Sequence, residues 1–185
     1  MMKKFDLKLA LIVIVVIVAV ILMCVFMVQG SQNGAINREE QIETAQSDIN
    51  VQEKRRADLL PNLADCVKQY DKHEYNTLMD VIKARGTNTD ASVNEVKTMI
   101  SAVAEQYPQL QSNTNYKQLM NELSVTENLI AEYRSNFNKQ VKEYKRYVRK
   151  FPTRLFLSMT GYETIEYEYL NYDVSPDAPT NLFGE

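Results

Sequence analysis

The chain has 185 residues, with 21 Lys and Arg against 24 Asp and Glu, a net charge of -3, five Gly, five Pro and no Trp. This length holds one modest domain plus an appendage, and the near-balance of charge supplies no bulk positive field for nucleic acid. So few glycines and prolines disfavour a turn-rich β fold, and two cysteines in unlike settings, Cys24 and Cys66, argue against a disulfide or a metal pair.

Residues 1–8 form a short basic segment, with Lys3, Lys4 and Lys8 against Asp6. Residues 9–28, LALIVIVVIVAVILMCVFMV, contain no charge. Twenty residues at about 1.5 Å each cover about 30 Å, the hydrocarbon thickness of a bilayer. A helix apolar on every face has nowhere to be buried in so small a domain. A cleaved signal would be shorter and end in small residues, where Cys24-Val25-Phe26-Met27 stand instead. The segment predicts an uncleaved, single-pass transmembrane helix. The lysines before it, and Arg38 among Glu39, Glu40 and Glu43 after it, put the amino terminus in the cytoplasm and the domain outside a bacterial cytoplasmic membrane.

Residues 29–35, within GSQNGAIN, read as a short flexible linker. From residue 36 to 160 the pattern is helical. Ile36, Ile42, Ala45 and Ile49 share one face, and a second set runs from Leu59 through Leu63, Val67 and Leu78 to Ile82. RGTNTD, residues 85–90, offers Gly86 as a C-cap and Thr89 or Asp90 as the next N-cap. Val93, Val96, Ile100 and Val103 mark the next helix, ended near Pro108 and QSNTN. A last long helix shows Tyr116, Leu123, Ile130, Phe137, Val141 and Tyr144, and Pro152 stops it.

RRADLLPNL, residues 55–63, decides the helix count. An unbroken helix over 35–85 would be about 75 Å long, against about 25 Å for the 91–107 helix. A break near Arg56 gives four antiparallel helices of better matched length. Arg55 and Arg56 would close one helix, Asp58 would cap the next, and Pro61 fits a first turn. The expected fold is therefore all-α: a transmembrane helix, then an up-and-down bundle of four helices. Three helices, with the first kinked at Pro61, is the runner-up. Residues 161–185 read as a peripheral, acidic, Tyr-rich tail.

Candidate chemistry is sparse. His73 is the one histidine in the chain, on a helix beside Glu74, and a lone histidine cannot build a multi-histidine metal site. No phosphate loop, nucleophile elbow or Cys-x-x-Cys occurs, so no catalytic, cofactor-binding or metal-binding residues are predicted. Arg55, Arg56 and Asp58 suggest a structural ion network at a helix junction. Lys142, Lys145, Arg146, Arg149 and Lys150 fall on one helical face and suit contact with anionic lipid. Ile36, Ile42 and Ile49 form a candidate face for self-association.

The amino-terminal span, QEKRRADLLPNLADCVKQYDKHE (52–74), YPQL (107–110), ELSVTENLIAEYRSNFNKQVKEY (122–144) and FP (151–152) together resemble the LemA family. The resemblance implies a membrane-anchored, up-and-down helical bundle and carries over no catalytic residues. Some members of that family are linked to shaping internal membranes such as magnetosomes. Relative to the family, the Tyr-rich acidic tail looks atypical. These readings converge on a non-enzymatic, membrane-anchored scaffold that self-associates and contacts membrane lipid and unknown protein partners, without nucleic acid. A peripheral lipid-binding or membrane-remodelling module is the alternative, and an enzyme built around His73 ranks third.

Overall fold

The computed structural model describes residues 2–85 and 90–171, and every regular element among them is helical: α1 (Met2–Lys68), α2 (Lys72–Arg85), α3 (Asp90–Gln106), α4 (Pro108–Ser112), α5 (Thr114–Arg149) and α6 (Thr153–Met159). The all-α reading holds. The predicted caps at Gly86 and Thr89, and the tail from Tyr172 onward, lie outside the described residues.

Helix α1 departs from expectation in two places. It continues without interruption for 67 residues, about 100 Å at 1.5 Å per residue. Residues 29–35 are thus helical, not a flexible linker. The chain does not break near Arg56 either, and Pro61 lies inside the helix. An interior proline costs about 3 kcal/mol, because it lacks an N–H and crowds the carbonyl four residues back. Leu59, Leu60 and Leu63 flank it and are buried. At about 1.5–3 kcal/mol per buried leucine, their burial outweighs the proline.

The turn falls instead at residues 69–71. Asp71 begins α2 there: its Oδ1 accepts the backbone N–H groups of His73 (2.8 Å) and Glu74 (3.0 Å). Those donors would otherwise lack partners at a helix start. Its Oδ2 accepts the Tyr107 hydroxyl at 2.9 Å. The Glu74 amide, and then the Tyr107 hydroxyl, hold the Asp71 carboxyl below its ordinary range. Asn113 plays the same part for α5, its side-chain oxygen accepting the N–H groups of Asn115 and Tyr116. Four helices of fourteen residues or more result, α1, α2, α3 and α5, but their division differs from the predicted one.

The chain resolves into two compact units, residues 41–136 and residues 1–40 with 137–185. In the first, apolar residues from five helices form one core. Leu60, Leu63 and Val67 come from α1, Leu78 from α2, Val96 and Ile100 from α3, Leu110 from α4 and Leu123 from α5. Ion pairs join its helices: Arg134 to Glu53 at 2.9 Å, and Lys97 to Glu127 at 2.8 Å. The second unit holds the start of α1, the end of α5, α6 and the segment after it, and contains the candidate site.

Candidate functional site

The amino-terminal part of α1 contains an 18-residue window of mean hydropathy 3.7 with none of it buried, a candidate membrane span by length and composition. The apolar run ends at Val28, and the helix goes on without a joint. Directly beyond it the end of α5 is fastened to α1 by two tyrosines.

Tyr147 is the nearer one. Its hydroxyl lies 3.4 Å from the Gly30 carbonyl and 3.3 Å from that of Ser31. The Arg38 guanidinium sits 3.9 Å from its ring centroid, and Lys150 lies 4.8 Å from it. Cations over an aromatic face are attracted by its quadrupole, by about 0.5–1 kcal/mol where exposed. Gly34 makes this approach possible. A Cβ there would fall on the Tyr147 hydroxyl and 2.7 Å from the ring carbon that carries it. The glycine that reads as a linker residue is a close-approach residue inside a helix.

Tyr144, one turn earlier on α5, is buried and donates its hydroxyl to Glu39 at 2.6 Å. Tyr162 donates to the other oxygen of the same carboxylate at 2.9 Å. The Ile165 N–H donates to the Tyr144 hydroxyl at 3.0 Å, and the Tyr167 ring meets the Tyr144 ring edge-on at 5.5 Å. Further along, the Asn138 side chain donates to the Leu170 carbonyl and accepts its N–H, both at 2.8 Å. Gly161, at φ +66°, supplies the left-handed turn that starts this segment. Residues 161–170 are thus laid along α5 and bonded to it. The stretch expected as a peripheral tail is mostly exposed here, and its tyrosines and backbone groups have partners on α1 and α5.

Burial, and then the bond to Glu39, push the Tyr162 hydroxyl up to about 12 and the Tyr144 hydroxyl higher still. A tyrosine acting as a general base needs the opposite shift. A cleft of about 800 Å³ lies beside the cluster, and its rim mixes Lys145, Arg149 and Arg154 with Glu166 and Glu168.

The predicted site residues are scattered. Arg55 reaches Glu122 at 3.7 Å, Arg56 is 2% exposed within the fold, and Asp58 is exposed, so the three do not make one network. An unbroken helix leaves no junction for them to cap. Ile42 and Ile49 are 1% and 2% exposed, whereas Ile36 is 43% exposed. The self-association stripe therefore loses two of its three residues to the chain's own packing. On the basic face, Lys142, Arg146, Arg149 and Lys150 are exposed, while Lys145 lies 4.4 Å from the Tyr169 ring. His73 is exposed, and its N–H serves the Asp71 cap. Among the described residues no group of three or more His, Cys, Asp or Glu could hold a metal ion.

A long helix with a candidate span, a helical core and a tyrosine-bonded collar beside the end of the apolar run define a membrane-associated helical-bundle protein. The chain belongs to the LemA family, whose sequence model matches residues 45–179. That match includes most of the segment after α6, where the Tyr-rich stretch lies. Protein LemA of Metamycoplasma hominis is 28% identical over 125 residues, 61% of this chain and 57% of that protein. Magnetosome protein MamQ of Magnetospirillum gryphiswaldense is 35% identical over 68 residues, and so is Magnetosome protein MamQ 2 of Paramagnetospirillum magneticum. Each of these two matches covers 37% of this chain, which spans 25% of the length of either relative.

Proposed function

We propose that this chain is a non-enzymatic scaffold, anchored in the membrane by α1 with its amino terminus in the cytoplasm, that recruits protein partners and further copies of itself through exposed helix faces. The observation that carries this reading is the continuity of α1 through residues 29–35. A helix that leaves the bilayer without a joint presents the collar at a defined height and orientation, which suits assembly better than capture by a loose tether. Lys3, Lys4 and Lys8 before the span support the orientation. The likeness to proteins named for the magnetosome supports a part in organising membrane. The bonds from Tyr144 and Tyr162 to Glu39 support a structural role for the collar.

Outside the span, Ile36, Val51 and Val125 are exposed large apolar residues on α1 and α5. A photo-crosslinking amino acid placed singly at each, in the native membrane, is expected to give discrete protein adducts from at least one position. An adduct of twice the chain mass would identify a second copy. Absence of adducts from all three positions, with the chain present and intact, contradicts the proposal.

A further inference from the structure

We infer that the turn joining α5 to α6 is a second membrane contact: Phe151 inserts into the interface of the bilayer that α1 crosses, and Arg146, Arg149 and Arg154 bind its anionic phospholipid headgroups. The inference rests on the anchored reading above and adds a surface to it.

Height is the first argument. The bonds of Tyr147 to Gly30 and Ser31, and of Tyr144 to Glu39, show α5 running antiparallel to α1 here. Each step forward on α5 and each step back on α1 moves about 1.5 Å toward the span. Counted from the Tyr144–Glu39 bond, seven positions bring the chain to Phe151, just past the end of α5 at Arg149, and α1 back to Gln32, about 6 Å from the end of the apolar run at Val28. Phe151 therefore stands about one helical turn outside the apolar run, within the layer of headgroups that borders it.

Its exposure is the second argument. Phe151 is 83% exposed, more than Phe26 at 75% within the candidate span itself. An aromatic ring left this open beside a span has the interfacial setting that aromatic residues favour. Leu155, one turn on and also exposed, extends the apolar surface.

Charge is the third. Arg146, Arg149 and Arg154 are exposed around this turn, and the Arg154 N–H bonds the Lys150 carbonyl at 2.9 Å, which keeps it within one turn of the end of α5. The acidic residues lead the other way. From Gly161 the segment bearing Glu163, Glu166 and Glu168 runs back along α5 to Asn138, away from the span. Positive charge is left at the bilayer end of this unit, where anionic headgroups attract it.

The absence of tryptophan makes the test direct, because Phe151→Trp becomes the one indole in the chain. The full chain is reconstituted in vesicles with and without phosphatidylglycerol, using lipids brominated on the upper acyl chain. Phe26→Trp reports the span. Val51→Trp, about 35 Å beyond Val28 along α1, reports water. The expected result is blue-shifted Phe151→Trp emission that brominated lipid quenches, as for Phe26→Trp, while Val51→Trp is unaffected. Changing Arg146, Arg149 and Arg154 to Gln should lower the ratio of seated to unseated indole by roughly fivefold per charge in anionic vesicles at low salt. Quenching of Phe26→Trp with a water-like, unquenched Phe151→Trp overturns the contact and leaves the anchor standing. If Phe26→Trp is itself unquenched, anchor and contact fall together.

Discussion

Tyr144→Ala is expected to cost about 3–5 kcal/mol and to release the segment after α6. Truncating a large buried aromatic leaves a cavity and costs about that much. Tyr144 is 1% exposed, and its hydroxyl joins three parts of the chain: Glu39 on α1, the Ile165 backbone beyond α6, and its own helix α5. Losing it also removes a donor from the Glu39 carboxylate and a ring partner from Tyr167. Tyr144→Phe keeps the ring and deletes only the hydroxyl, so about 1–3 kcal/mol is expected, the cost of leaving a partly buried charged group short of a partner. Urea unfolding gives the size of both effects. Limited proteolysis gives the location, because cleavage within residues 161–170 should accelerate in the alanine variant. Unchanged cleavage there would show that the segment is held by something other than Tyr144.

The second large effect belongs to the unit of residues 41–136. Leu63→Ala is expected to destabilise by about 2–5 kcal/mol, the range for emptying a fully buried leucine site. Leu63 is 0% exposed and lies in the core to which α1, α2, α3, α4 and α5 all contribute. Val51→Ala, on an exposed part of the same helix, should stay within about 0.5 kcal/mol. Equal midpoints for the two variants in urea unfolding would mean that the core described here does not hold the unit together.

Most of the fold could be read from periodicity. The span, the α3 face at Val93, Val96 and Ile100, and the α5 face through Val141 all lie where apolar spacing puts them. The position of the first turn did not follow. At Asp58 and Pro61 the residue types permit a helix start, but they permit an interior position equally once neighbouring leucines are buried. The usable signal lay thirteen residues further on, where Asp71 followed by Glu74 has the spacing of a capping box. The linker reading failed for a related reason. Glycine marks a flexible joint when nothing packs on it and a close approach when an aromatic ring does, and only the fold brings Tyr147 to Gly34.

The collar was least legible. Glu39, Tyr144 and Tyr162 are separated by more than a hundred positions between the first and the second, and each is ordinary in its own stretch. Their meeting depends on α5 returning along α1, a tertiary fact that no local pattern encodes. Composition did mark the tail as Tyr-rich, and Tyr162, Tyr167 and Tyr169 turn out to bond and stack within the unit. The basic face was legible by spacing, while its bearing on the bilayer became clear only from the level at which Tyr144 and Tyr147 meet α1.

Hydrogen exchange across residues 29–35, with the chain reconstituted in lipid nanodiscs, tests the continuity of α1 most directly. A helix running unbroken from the span into the collar predicts slow exchange of these amides, comparable with residues 36–40. Exchange at the rate of an open peptide over 29–35, with slow exchange on either side, would show a flexible tether and contradict the account.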